Sequence, residues 1–153
     1  GVTSCSEKIV SAYESADVVK TFFHGHSYTA NPLACAAANA SFHLLTSGQC
    51  RSQIDLIGNQ HSAFKKKLES LHHQHNVRCL GTILAIELRT KENTSYFNEI
   101  RKHILHYFLS RNILLRPLGN VIYVLPPYVI HETELSQIYD SIEAFLAQLQ
   151  EQA

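Results

Sequence analysis

Two short stretches gather side chains able to hold a charged ligand. The first runs His24-Gly25-His26-Ser27-Tyr28-Thr29-Ala30 and ends at Asn31-Pro32. It offers two imidazoles, two hydroxyls, a phenol and a glycine just before a helix start. Backbone N–H groups at such a start favour an anion such as phosphate. An ordinary capped loop would use the same residues, and spacing alone leaves both readings open. The second is Arg116, which follows Ile113-Leu114-Leu115 and precedes Pro117. A guanidinium delivered from a rigid, largely buried strand end can grip a carboxylate through two parallel hydrogen bonds. A surface salt bridge is the plainer use of an arginine there.

Other polar clusters carry less. His72, His73 and His75 lie together, and His103 and His106 stand three apart on a predicted helix face. Neither group has a Cys or carboxylate at ligand spacing, so solvated histidines and no metal are expected. Lys65-Lys66-Lys67 has no interleaved aromatics and sits beside Glu69, the pattern of a solvated helix face, not of a nucleic-acid patch. Nucleophile-elbow, P-loop and dinucleotide glycine patterns do not occur in the sequence.

The elements that must position these residues follow from periodicity and caps. Residues 6–16 read as a short helix with Ser4 or Ser6 as N-cap. Asn31-Pro32 starts an Ala-rich helix over 32–47 that stops at Gly48 and is expected to pack on more than one face. A longer helix spans about 50–74, with Ile54, Ile57, His61, Phe64, Leu68 and Leu71 as its stripe and His61 as a half-buried filler. A strand over 77–88, with Gly81 as a bulge or bend, and a helix over 96–110 follow. Two short strands, 113–116 and 121–125, are joined by Pro117-Leu118-Gly119-Asn120, and a last helix carries Leu135, Ile138, Ile142, Phe145 and Leu149. From residue 77 onward this order gives an α+β layer, helices on one face of a small, mainly antiparallel sheet.

Composition bounds the rest. The chain has 153 residues, 45% of them hydrophobic, and 13 Lys+Arg balance 13 Asp+Glu. That length buries roughly two-thirds of the unfolded surface, and a zero net charge argues against nucleic acid or an anionic membrane as partner. No apolar run approaches the roughly 20 residues of a membrane span. No Met occurs, even at position 1, so a processed chain or a piece of a longer one is expected. Cys5, Cys35, Cys50 and Cys79 form no C-x-x-C pair, and half-buried thiols in a reduced, cytoplasmic chain fit them better than disulfides.

The segment His24 to Ala40 closely resembles the loop and helix of class III, pyridoxal-phosphate-dependent aminotransferases. Within that class, Leu115-Arg116-Pro117-Leu118-Gly119-Asn120-Val121-Ile122-Tyr123-Val124-Leu125-Pro126-Pro127-Tyr128 is similar to the biotin-synthesis branch. The resemblance covers essentially the whole chain. It implies the C-terminal part of a fold-type I transferase, with 1–48 the end of the large cofactor-binding domain, 49–76 a connecting helix and 77–153 the small domain. It implies transfer of an amino group from S-adenosylmethionine to 8-amino-7-oxononanoate through pyridoxal 5'-phosphate, in a homodimer whose active sites are shared. By carry-over, His26 and Ser27 would meet the cofactor phosphate of the neighbouring subunit, Gly25 would approach substrate, Arg116 would bind the acceptor's carboxylate, and Tyr123 would line the same pocket. A proline is also common in that family at the position of His26, so its backbone is expected to matter more than its ring. The cofactor-bearing lysine would lie upstream of Gly1, so no residue of this chain is expected to be catalytic. Another class III aminotransferase, acting on ornithine or an ω-amino acid, and a free-standing dimerisation or binding module are the alternatives.

Overall fold

The computed structural model describes residues 1–71, 75–90 and 94–151. They form two compact units, Gly1–Ser47 and a second that begins at Gly48.

The first unit is built by local signals. Helix α1 covers only Glu7–Val10, with Ser6 extended before it, and a 3-10 turn follows at Val18–Lys20. The helix expected over 6–16 thus stops early, and Asp17 instead caps the 3-10 turn, its carboxylate accepting from the Val19 N–H at 3.1 Å. Helix α2, Pro32–Thr46, starts where the sequence predicts: the Asn31 side-chain oxygen accepts from Leu33 N (3.0 Å) and Ala34 N (3.2 Å), and proline occupies the first position. It ends one residue sooner than expected, because Ser47 turns extended and Gly48 opens the next helix. None of its residues is buried; Leu33 is 82% and Leu44 71% exposed. Close packing on several faces, expected from the alanines, is therefore not found; cap and alanine propensity hold this helix.

The second unit has a sealed core. Helix α3, Gly48–Ser70, buries Ile57, His61, Phe64 and Leu68, while Leu71 at the end of the predicted stripe is exposed. The single strand expected over 77–88 is a hairpin: β1, Asn76–Leu80, pairs antiparallel with β2, Ile83–Glu87. Gly81 has φ +56° and, with Thr82, forms a two-residue turn, which glycine adopts without strain. Strand β3, Val121–Val124, pairs antiparallel with β2, giving the order β1-β2-β3. Register aligns Val77 with Ile86, Ile86 with Ile122 and Leu84 with Val124, so one face of the sheet carries these buried residues.

Helix α4, Ile100–Leu109, begins later than expected because the Asn98 side-chain oxygen accepts from Ile100 N. After Leu109 the chain is turned out of the helix by Asn112, left-handed at φ +58°, and Ile113 N donates back to Phe108 O at 3.0 Å. Helix α5, Glu132–Glu151, carries half of a capping box: Glu134 reaches back to accept from His131 N at 2.8 Å. α4 and α5 add Ile104, Phe108, Leu135, Ile142, Phe145 and Leu146 to the core. Residues 113–116 alternate buried and exposed as a strand would, yet they join no ladder; only the isolated bridge Leu118↔Val121 follows them. The fold is α+β, helices packed against a small antiparallel sheet, as the sequence predicts.

Candidate functional site

The loop before α2 is folded on itself. His26 N donates to Thr29 Oγ1 (3.2 Å), Thr29 N donates to His26 O (2.9 Å), and Tyr28 N donates to His26 Nδ1 (3.1 Å). These bonds place Gly25, His26 and Ser27 side by side on an exposed turn. The His26 N–H and one ring nitrogen are thus already engaged, whereas the Ser27 hydroxyl has no partner among the described residues. Apart from Gly25 and its two chain neighbours, no atom of the described residues lies within 4 Å of where a Cβ on Gly25 would stand. Because Nδ1 accepts, a neutral His26 ring carries its proton on Nε2, and that N–H and the Ser27 hydroxyl are the side-chain donors this pair can offer a ligand.

In the second unit Arg116 departs from expectation. It does not end a strand and is not largely buried; it is an exposed residue of the extended segment that misses the sheet. What constrains it is a phenol: Arg116 Nη2 donates to Tyr96 Oη at 3.4 Å. The Arg101 guanidinium lies over the Tyr96 ring, 5.2 Å from its centre, and Arg101 Nε donates to Pro117 O at 3.4 Å. The Arg116 hydrogen bond, then the Arg101 charge, hold the Tyr96 phenol below its usual range, and the same bond raises Arg116. Tyr123, half-buried on β3, and Arg116 share a cavity of about 320 Å³ walled by Leu114, Leu115, Leu125 and Pro126. An apolar trough with a guanidinium on its wall suits a carboxylate on an aliphatic chain.

Sequence reasoning missed Tyr96 and Arg101. Nothing local marks them, since Tyr96 meets Arg116 across 20 residues. It also undervalued His61, which is completely buried, not half-buried, with both ring nitrogens bonded.

The remaining candidates disperse. His72 and His73 lie outside the described residues; His75 Nδ1 accepts from Arg89 N (3.3 Å), and the His103 ring stands edge-on to Phe145. Among the described residues no three ligating side chains gather. Cys5 and Cys35 are exposed and Cys50 and Cys79 partly buried, so half-burial holds for two of the four thiols. Lys8, Lys20, Lys65, Lys66, Lys67 and Lys102 lie on helices or the 3-10 turn, none of them buried; Lys91 falls outside the described residues. No helix among the described residues is long and apolar enough to cross a membrane.

A family model for class-III aminotransferases matches residues 2–146. The adenosylmethionine-8-amino-7-oxononanoate aminotransferase of Synechococcus elongatus is 38% identical over 151 residues, 97% of this chain but 34% of that protein. The enzyme of the same name from Geobacter sulfurreducens is 37% identical over 82% of this chain and 28% of its own length. This chain thus spans 34% of the first of these curated relatives and 28% of the second. Among solved structures, the Methanocaldococcus jannaschii adenosylmethionine-8-amino-7-oxononanoate aminotransferase superposes with a TM-score of 0.67 at 31% identity, over 82% of this chain and 30% of that one. The acetylornithine aminotransferase of Elizabethkingia anophelis gives 0.65 at 26% identity, over 82% of this chain and 32% of that one.

Proposed function

The chain belongs to the class-III aminotransferase family, and from that premise we propose that it is the C-terminal part of an enzyme of biotin synthesis. The parent moves an amino group from S-adenosylmethionine to 8-amino-7-oxononanoate, giving 7,8-diaminononanoate, with the two substrates visiting one site in turn. The observation that carries this reading is Arg116 beside Tyr123 on an apolar cavity, within a chain matched along 97% of its length by a relative bearing that name. The acceptor ends in a carboxylate on an aliphatic chain, and Arg116 would fix that end while Leu114, Leu115 and Leu125 flank the chain.

When bound, pyridoxal 5'-phosphate supplies the electron sink for moving the amino group. On this reading Ser27 donates its free hydroxyl to the cofactor phosphate of a neighbouring subunit and His26 lies beside it. Gly25, with open space around it, lets substrate approach the backbone. The parent is then a homodimer in the cytoplasm. Residues 1–48 end its large domain, 49–76 connect, and 77–153 form its small domain. The catalytic lysine lies upstream, which agrees with the surface placement of the described lysines.

A second reading, an ornithine-type aminotransferase, has the likeness to the acetylornithine enzyme in its favour. The full-length protein decides between them. Amino transfer from S-adenosylmethionine to the oxononanoate acceptor is expected; failure with that pair and turnover with an ornithine derivative would replace the first reading by the second.

A further inference from the structure

Arg116 has an unusual means of support. It stands exposed on a segment outside the sheet, where a free arginine would sample many rotamers and lose that freedom on binding a ligand. Yet its neighbours close a circuit around it. Arg116 Nη2 meets Tyr96 Oη, Arg101 lies on the Tyr96 ring, and Arg101 Nε holds the carbonyl of Pro117, the residue bonded to Arg116. The loop carrying Tyr96 is itself clamped to the turn after Arg116. Asn120 Nδ2 donates to Thr94 Oγ1 at 3.1 Å and to Leu88 O at 2.8 Å. Gly119, at φ +61°, lies so close to the Ser95 carbonyl that a Cβ there would overlap it.

We infer that Tyr96 and Arg101 are positioning residues, which hold the Arg116 guanidinium on the cavity wall so that an incoming carboxylate finds it already oriented. The inference rests on the proposal that Arg116 binds the acceptor's carboxylate. Tyr96 takes one of the five guanidinium N–H groups and leaves four for the ligand. Arg101 adds a second positive charge beside the phenol, which favours an anion over a neutral end group. The lowered pKa of Tyr96 agrees with a phenol held between two guanidiniums.

The test uses the full-length enzyme with its cofactor, in separate half-reactions. Tyr96→Phe and Arg101→Gln should each raise the KM for the oxononanoate acceptor roughly 3- to 10-fold, the net scale of one ordinary hydrogen bond. The kcat and the S-adenosylmethionine half-reaction should hardly change. In an Arg116→Ala background, Tyr96→Phe should add nothing. If Arg116→Ala weakens the acceptor selectively but Tyr96→Phe and Arg101→Gln do not, the positioning role is wrong and the carboxylate role survives. If Arg116→Ala itself shows no selectivity for the acceptor, both fall. A readout free of activity is the ultraviolet titration of the phenol, as the difference between wild type and Tyr96→Phe. Its midpoint should lie below that of free tyrosine and rise in Arg116→Gln; an unmoved midpoint overturns the contact.

Discussion

His61 and Tyr139 are joined in the core by a hydrogen bond of 2.6 Å between ring Nδ1 and the phenol oxygen, across 78 residues. The other ring nitrogen, Nε2, lies 3.1 Å from Thr82 O. A carbonyl only accepts, so Nε2 carries the proton and Nδ1 must accept from the phenol. This ties α3, α5 and the hairpin turn through one neutral imidazole, with Phe64 stacked on Tyr139 at 4.2 Å.

Acid should therefore loosen the second unit. Burial lowers the His61 pKa from its ordinary 6.5, against a smaller opposing effect of the Thr82 hydrogen bond. The unfolded chain binds this proton more readily than the folded one, so the ring's contribution is whole above about pH 6.5 and drains as the pH falls toward the lowered value. Urea midpoints should fall more for wild type than for His61→Gln between about pH 7.5 and about pH 5. Equal falls would place the acid sensitivity elsewhere.

Gly119→Ala should destabilise the second unit by about 2 kcal/mol or more, from the left-handed backbone and the overlap with the Ser95 carbonyl. Thermal unfolding measures it. A variant as stable as wild type would mean that the 94–98 loop yields freely.

On the proposed reading, Arg116→Ala in the full-length enzyme should raise the acceptor KM about tenfold or more, with a smaller change in kcat and in the S-adenosylmethionine half-reaction. Arg116→Lys should rescue only in part, because an ammonium lacks the planar fork. Equal losses for both substrates would make Arg116 structural.

The chain alone should transfer no amino groups and hold no pyridoxal on one particular lysine, since none of the described lysines is buried. Reduction with borohydride followed by peptide mapping checks this. A single, stoichiometrically labelled lysine would refute it.

Helix α2 should make the isolated chain self-associate, as Leu33, Phe42 and Leu44 stand 63–82% exposed. Sedimentation across a concentration series is the measurement, with Leu33→Ser/Leu44→Ser expected to weaken the association. A monomer at every concentration would contradict it.

Where signals were local, the sequence could be read. Asn31-Pro32 marks the start of α2 because cap and proline act within a few residues. The stripe of α3 shows its buried face for the same reason. The hairpin is hidden, because Gly81-Thr82 interrupts a mostly apolar stretch without an Asn-Gly or Asp-Gly signature. Residues 113–116 have a strand's alternation, but a strand also needs a ladder partner, and pairing is not a local property. The support of Arg116 was illegible too: Tyr96 and Arg101 acquire meaning only once the turn at 117–120 is laid against their loop.

That lacing bears on redesign. Residues 94–101 and 116–120 behave as a single cassette, stitched by Asn120, pressed together at Gly119 and closed by two arginines on one phenol. Grafting the strip around Arg116 into another scaffold would transplant a charge without its bearing. Anyone seeking to reshape the cavity would do better to shift both halves as one part, and vary the apolar wall around them.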